Sequence, residues 1–482
     1  MDMSRNKIRF ILGLAIVSAI FFYLRIKTLG HLLTWDEARN IISLRAFLSG
    51  ADTDPFYSNY FFHPPLYMIF AALLKPFQAG LDVRLELLSL LFAYGTLVVT
   101  YILGARIGGR KLAFLSGLFL SLMPVSIAYD TWIKRDGLAA LLGYLSIFFI
   151  MKRKVFWCAV ALAFAMLAKE SAAFFLLAVI SILAVSNGKG TTKKILLISG
   201  TLLVLSGWWY FGFSAMPRVG PELYFQAERL ASAWANSPLY YFKKLLPDMG
   251  FPTLIFFIMG VLYFPYLSLR KREYERLVPL IIFFCVYLPA SFIIVAKTPW
   301  LCLSAAPALA MTAGGGALFL LEIAKKIRLA LPVLASFIVL SIFVGASFSY
   351  DVYHGKSYPN GWSGANSSRE LAFYLNKKMA SGERLMLTQF SYWGEPACPI
   401  CPIFLYYRKG GPVYVIDGKN TAEEAIGQIM DKKISWFAVI DSPDPRFNFH
   451  ALVKDAEGSI LGKPTAVGQA YVWRTDFLWQ DK

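Results

Sequence analysis

The sequence predicts a polytopic α-helical membrane protein of about eleven transmembrane helices, followed by a small extracytoplasmic α/β domain. Three observations carry this prediction. Of the 482 residues, 57% are hydrophobic and only 16% charged, with a mean hydropathy of +0.54. Soluble proteins run at about 45–50% apolar and about 25% charged. The apolar residues also gather in runs close to the roughly 20 residues that cross about 30 Å of hydrocarbon. Finally, the net charge of +18 is uneven: residues 351–482 carry 15 basic and 14 acidic side chains, whereas residues 1–350 carry 33 and 16. The basic excess lies between apolar runs, as in helical membrane proteins. A nucleic-acid binder would cluster it on a soluble face. Disorder, a collagen-like fibre and a plain soluble enzyme are excluded by the same figures, and five cysteines are too few for a disulfide scaffold.

Taken in order, the apolar runs cover residues 8–24, 85–105, 111–128, 137–151, 155–168, 171–186, 195–211, 251–269, 277–296, 299–321 and 329–349. The first is not a cleavable signal, because Arg25, Ile26 and Lys27 follow it and no small-residue cleavage site does. A twelfth candidate, residues 66–81, is decided by parity. Six basic clusters, such as Arg5/Lys7/Arg9, Arg106/Arg110/Lys111 and Lys152/Arg153/Lys154, hold 19 of the 48 basic residues. If residues 66–81 do not span, all six fall on the cytoplasmic side. If they span, five flip outward against the positive-inside rule. The segment also holds Lys75, Pro76, Gln78 and Gly80, and it is expected to lie at, or dip into, the outer interface. This places the N-terminus inside and the C-terminus outside. Two long extracytoplasmic loops follow, about residues 25–84 and 212–250. The domains are thus residues 1–349, membrane-embedded, and 350–482, extracytoplasmic.

In the second domain charges intersperse. Residues 369–379 read as an amphipathic helix, 385–388, 413–416 and 436–440 as short strands, and 422–430 as an acidic helix. Strands alternating with helices suggest a small α/β domain.

Residues able to carry chemistry concentrate at the predicted outer interface. The first loop holds Thr34-Trp35-Asp36-Glu37-Ala38-Arg39. Two adjacent carboxylates beside a membrane are costly to desolvate. On a helix they point about 100° apart, so one faces a reactive centre while the other orients a partner. The competing reading is a solvated helix start capped by Thr34. His63, before Pro64 and Pro65, is either structural or placed to meet a phosphate. The segment Tyr129-Asp130-Thr131-Trp132-Ile133-Lys134-Arg135-Asp136 is either an interface anchor or an anion site, with Asp136 handling hydroxyls. Lys169-Glu170 reads as a local ion pair. Lys243 and Lys244 close the second long loop, and Lys297 precedes the tenth span. These basic groups converge on one interface, where charge-assisted hydrogen bonds recognise phosphate.

Over about residues 1–310 this pattern resembles the GT-C glycosyltransferase superfamily, in particular the branch of protein O-mannosyltransferases and lipid A aminoarabinose transferases. The matching residues are Asp36 and Glu37 in the first outer loop, His63-Pro64-Pro65-Leu66 at an interfacial helix, Arg84 at the second span, and Asp136 after the third. The resemblance implies transfer of a sugar from a polyprenyl-phosphate (dolichyl-phosphate-like) carrier to a protein, lipid or glycan acceptor on the outer face, normally with inversion. Asp36 then matches the catalytic base, Asp136 a second acid near the reaction centre, and His63 and Lys134 basic positions against the lipid phosphate. Lys297 and Lys243 are further candidates for that phosphate. The oligosaccharyltransferases of the superfamily carry WWDYG. Here only Trp208-Trp209-Tyr210-Phe211-Gly212 occurs, without the acid, which argues against asparagine glycosylation. No His/Cys/Asp set has metal-ligand spacing, and no cofactor is assigned. Cys398-Pro399-Ile400-Cys401 fits a disulfide better than a redox site outside the cytoplasm.

The competing class is a transporter or flippase of a lipid-linked sugar. It would show internal repeats and mid-membrane charges, neither of which the sequence has. The expected location is the plasma membrane, with the bilayer as partner and no role for nucleic acid.

Overall fold

Two compact units divide the chain in the computed structural model: Met1–His31 with Phe61–Ser357, and Leu32–Tyr60 with Tyr358–Lys482. The structure describes residues 2–30, 33, 37–38, 40–42, 44–45, 64–74, 80–186, 190–213, 240–292, 299–327, 363–388, 408, 413–416, 421–440, 449–467 and 470–480, with isolated positions between 332 and 347.

The first unit opens with α1 (Asp2–Ile26), α2 (Leu66–Ala72) and α3 (Leu81–Leu122). Pro65 sits at the start of α2 with φ −81°, a value its ring imposes and a helix start accepts. At seven residues, α2 is about 10 Å long, a third of the hydrocarbon thickness. Residues 75–79, which complete the segment expected at the outer interface, lie outside the described residues. α3 folds back on itself at Gly108 and Gly109, where the backbone leaves helical geometry (φ −141° and φ 78°). A methyl group on Gly104 would lie 2.9 Å from Ala113 Cα, yet nine residues along a straight helix are separated by about 13 Å. Glycine alone holds the positive φ of Gly109 without strain. The apolar runs on either side of this turn are therefore two antiparallel helices, as the sequence reading has them.

α4 (Pro124–Tyr129) follows after one extended residue, then α5 (Asp136–Met151), α6 (Val155–Ala168), α7 (Ala173–Val185) and α8 (Thr191–Gly207). α9 (Tyr240–Met249) and α10 (Phe251–Lys271) come next, then α11 (Tyr274–Phe292), a 3-10 turn at Pro299–Ser304, and α12 (Ala306–Ile327). Among the described residues six helices are long and apolar enough to cross a membrane: α1, α3, α8, α10, α11 and α12. Shorter apolar helices cover Asp136–Met151, Val155–Ala168 and Glu170–Val185. α10 and α12 pack backbone to backbone, because a methyl on Gly260 would run into the Thr312 carbonyl and one on Gly316 into that of Phe256. Small residues drive such contacts between helices that gain little from the hydrophobic effect in lipid.

The orientation derived from charge has a direct check. A cysteine at Gln78 should react with an impermeant maleimide added outside, and one at Arg110, beside the Gly109 turn, should not. Labelling at Arg110 would overturn the inside-out assignment of the basic clusters.

The second unit is a mixed sheet with helices. α13 (Ser363–Lys378), β1 (Leu385–Thr388), β2 (Val413–Ile416), α14 (Ala422–Asp431), β3 (Trp436–Ile440), α15 (Phe449–Gly458), β4 (Thr465–Val467) and β5 (Ala470–Arg474) follow in order. The strands lie β2-β1-β3-β5-β4, with β1 parallel to β2 and β3, and β5 antiparallel to β3 and β4. The three predicted strands and the acidic helix fall where expected, whereas α15, β4 and β5 are not anticipated by the sequence reading. Thr421 and Glu424 close a reciprocal cap on α14. Phe437 and Trp473, opposite each other on β3 and β5, stack at 5.4 Å over a core that includes Met386, Ile429 and Val439.

Candidate functional site

Ionisable side chains of the first unit gather where α1 ends, α4 turns and α5 begins. Arg25, in the last turn of α1, is fully buried. Its Nε donates to Asp130 Oδ2 at 2.7 Å, and its two terminal nitrogens donate to the Ser121 carbonyl at 2.8 Å and to Ser126 Oγ at 2.9 Å. Ser126 Oγ in turn donates to Asp130 at 2.6 Å, and the guanidinium lies 3.9 Å from the Phe21 ring centre. The planar fork of arginine suits this many-sided contact as a lysine would not. Nearby, Glu86 in the second turn of α3 accepts from the Gly30 amide at 2.6 Å.

Beyond α4 the chain turns through Trp132 and Lys134, both buried, before α5. Lys134 Nζ sits 4.9 Å from the Trp132 ring, which meets Tyr129 edge to face at 4.5 Å. Asp136 opens α5, where a carboxylate suits the positive end of the helix. It is buried and accepts from Lys169 Nζ at 2.5 Å. Lys169 thus meets Asp136, 33 residues away, rather than its neighbour Glu170 as the sequence suggested.

The 3-10 turn Pro299–Ser304 joins the same region. Tyr144 of α5 donates to the Ser304 carbonyl at 3.0 Å and accepts from the Ala308 amide at 3.1 Å. α9 packs against α4, α10 and this turn. Asp248, next to last in α9, is buried, and burial pushes its carboxyl up to about 7 in spite of Lys244 one turn back.

Of the residues singled out from sequence, Lys134 and Asp136 thus lie together in this region. Lys243 is exposed on α9. Glu37 is buried and helical in the other unit. Asp36, His63, Lys297, Cys398 and Cys401 lie outside the described residues. Among the described residues, no three His, Cys, Asp or Glu side chains cluster as metal ligands would. Sequence reasoning missed the Arg25–Asp130 pair and Asp248. The signal for the latter was present: Asp248 is the only acidic residue between Glu228 and Glu273.

No protein-family profile matches the chain, and no curated protein does. Solved structures do. ArnT from Cupriavidus metallidurans in the apo state is 17% identical, with a TM-score of 0.65 over 98% of this chain and 99% of that one. The same protein bound to undecaprenyl phosphate gives 16% identity and a TM-score of 0.62 over the same shares. The archaeal oligosaccharyltransferase AglB from Archaeoglobus fulgidus, in complex with an inhibitory peptide and a dolichol-phosphate, is 12% identical. It has a TM-score of 0.55 over 94% of this chain and 71% of its own. These likenesses show a fold shared with ArnT and with AglB.

Proposed function

We propose that this chain is a membrane glycosyltransferase that moves a sugar from a polyprenyl-phosphate donor to an acceptor hydroxyl on the extracytoplasmic face, with inversion. The observation that carries the reading is buried Asp136, paired with half-buried Lys169 and two residues after buried Lys134, on a fold shared with one structure that holds undecaprenyl phosphate and another that holds a dolichol-phosphate. In the proposed reaction Asp36 takes the acceptor proton, the freed oxygen attacks the anomeric carbon, and the bond to the phosphate oxygen breaks. The carrier leaves as a phosphate monoester, whose growing charge falls to His63, Lys134 and Lys297, with exposed Lys243 as a weaker contact. A lysine withdrawn from water, as Lys134 is, meets an anion at low effective dielectric and gains more from it. Asp136 holds Lys169 in place and lies close enough to Lys134 in sequence to shape the same site. Glu37 orients or contacts the acceptor. The enzyme is placed in the plasma membrane.

Detergent-purified protein should transfer sugar with no membrane compartment present, which a transporter does not do. Replacing His63, Lys134 or Lys297 by Ala should weaken binding of undecaprenyl phosphate about 10- to 150-fold, since a hydrogen bond to a charged group is worth about 1.5–3 kcal/mol. Unchanged affinity in all three variants would remove the phosphate assignment.

A further inference from the structure

Three buried acids at this end of the first unit have partners: Asp130 holds Arg25, Asp136 holds Lys169, and Glu86 holds the Gly30 amide. Asp248 differs. It is 8% exposed, and its Oδ2 is sealed from solvent without a hydrogen-bond partner among the described residues. Cys302 and Lys244 both favour the charged carboxylate, without offsetting its burial. The elements packed against α9 add little else. α4 offers no charged side chain, the start of α10 is Phe251-Pro252-Thr253, and the 3-10 turn offers Cys302. Tyr287 of α11 is spoken for, donating to the Tyr241 carbonyl at 2.5 Å. Leaving a buried acceptor unmet costs about 1–3 kcal/mol, and orphaned polar groups of this kind call for an explanation such as a ligand.

The position ties Asp248 to the site already described. A methyl on Gly250, two residues on, would lie 3.6 Å from Pro124 at the start of α4. The turn that carries Cys302 is bound through Ser304 to Tyr144, two turns beyond Asp136. Lys243 and Lys244 precede Asp248 on the same helix. A phosphate is excluded as the missing partner, because a carboxylate repels it. A cation is disfavoured with Lys244 alongside. A hydroxyl, which both donates and accepts, suits a carboxyl in either protonation state.

We propose that Asp248 is a sugar subsite, its Oδ2 hydrogen-bonding a ring hydroxyl of the donor sugar. The assignment rests on the glycosyltransferase reading above. The donor rather than the acceptor is chosen because the sugar hangs directly from the phosphate that the neighbouring lysine, Lys243, is assigned to hold.

The test measures the affinity of the full-length protein in detergent for bare undecaprenyl phosphate and for undecaprenyl phosphates carrying mannose, glucose, galactose or 4-amino-arabinose. Asp248→Ala should bind the preferred sugar-bearing lipid at least about tenfold more weakly, as expected for one lost hydrogen bond to a charged group. It should bind the bare lipid as wild type does. Asp248→Asn, which keeps an accepting oxygen, should lose less. The unliganded Tm of Asp248→Ala should hold or rise, since the orphaned oxygen is gone. Equal effects on bare and sugar-bearing lipids, whether loss or none, would overturn the subsite, as would a fallen Tm with equal losses, the mark of a structural Asp248–Cys302 contact. A wild-type protein that gains nothing from any sugar overturns it too, while sparing the phosphate site. A wild-type protein that binds neither lipid sinks the glycosyltransferase reading itself.

Discussion

Asp36→Asn should lower turnover by about 10²-fold or more, the scale of general-base catalysis, with folding and donor affinity preserved. The substitution keeps the size of the side chain and its capacity to accept a hydrogen bond, and removes only the basicity. A base acting on an acceptor hydroxyl must come within about 3 Å of that oxygen in the complex, so the loss belongs to the chemical step and not to donor binding. Glu37 supplies an internal comparison. It is buried and helical, so Glu37→Gln should register in Tm as well as in rate. The competing role for Asp36 is to order the loop as a helix cap beside Thr34. Asn is itself a good cap, and under that role most activity should survive. An Asp36→Asn protein with wild-type Tm and near-normal turnover on its natural acceptor would end the assignment.

What could be read from the sequence is what depends on local pattern. Apolar runs separated by basic clusters coincide with α1, α3, α5 to α8 and α10 to α12, while most of the run at residues 329–349 lies outside the described residues. The same pattern placed the turn at Gly108 and Gly109, because Arg106, Arg110 and Lys111 mark a break that two apolar helices share. Strands β2 and β3 were legible as β-branched and aromatic runs and β1 as a short apolar run, whereas β4 and β5, at 3 and 5 residues, are set mainly by pairing, β5 with β3 and β4 with β5. Lys134 and Asp136 stood out because charged residues crowd between two apolar segments. Their partners did not. Asp136 pairs with Lys169 across 33 residues and Arg25 with Asp130 across 105, and no periodicity encodes such separations. Arg25 read as a mere flank of the first span, and Asp248 was not singled out at all. Burial gives them meaning, and burial is a tertiary property.

The Arg25–Asp130 pair should therefore have the largest effect on stability of any single contact in the first unit. Arg25→Met keeps the apolar bulk against Phe21 but strands Asp130, which is 8% exposed, together with the Ser126 hydroxyl and the Ser121 carbonyl. Removing one partner of a buried ion pair costs about 3–5 kcal/mol, because the remaining charge has no water to return to. Arg25→Lys keeps the charge but loses the fork, and should fall between wild type and Arg25→Met. The double variant Arg25→Met/Asp130→Leu separates the pair's net worth from the penalty of an orphaned acid. Well-packed apolar replacements of buried pairs are often neutral, so the double variant should recover most of the lost Tm. Its activity should recover less. Arg25 fastens the end of α1 to α3 and α4 eleven residues before Asp36 in the chain, and an apolar contact is less directional than a hydrogen-bonded fork. A single Arg25→Met variant as stable as wild type would show that this ion pair is not what anchors α1. A double variant no more stable than the single one would place the penalty in the loss of arginine's own contacts to Ser121 and Ser126, and not in the stranded carboxylate.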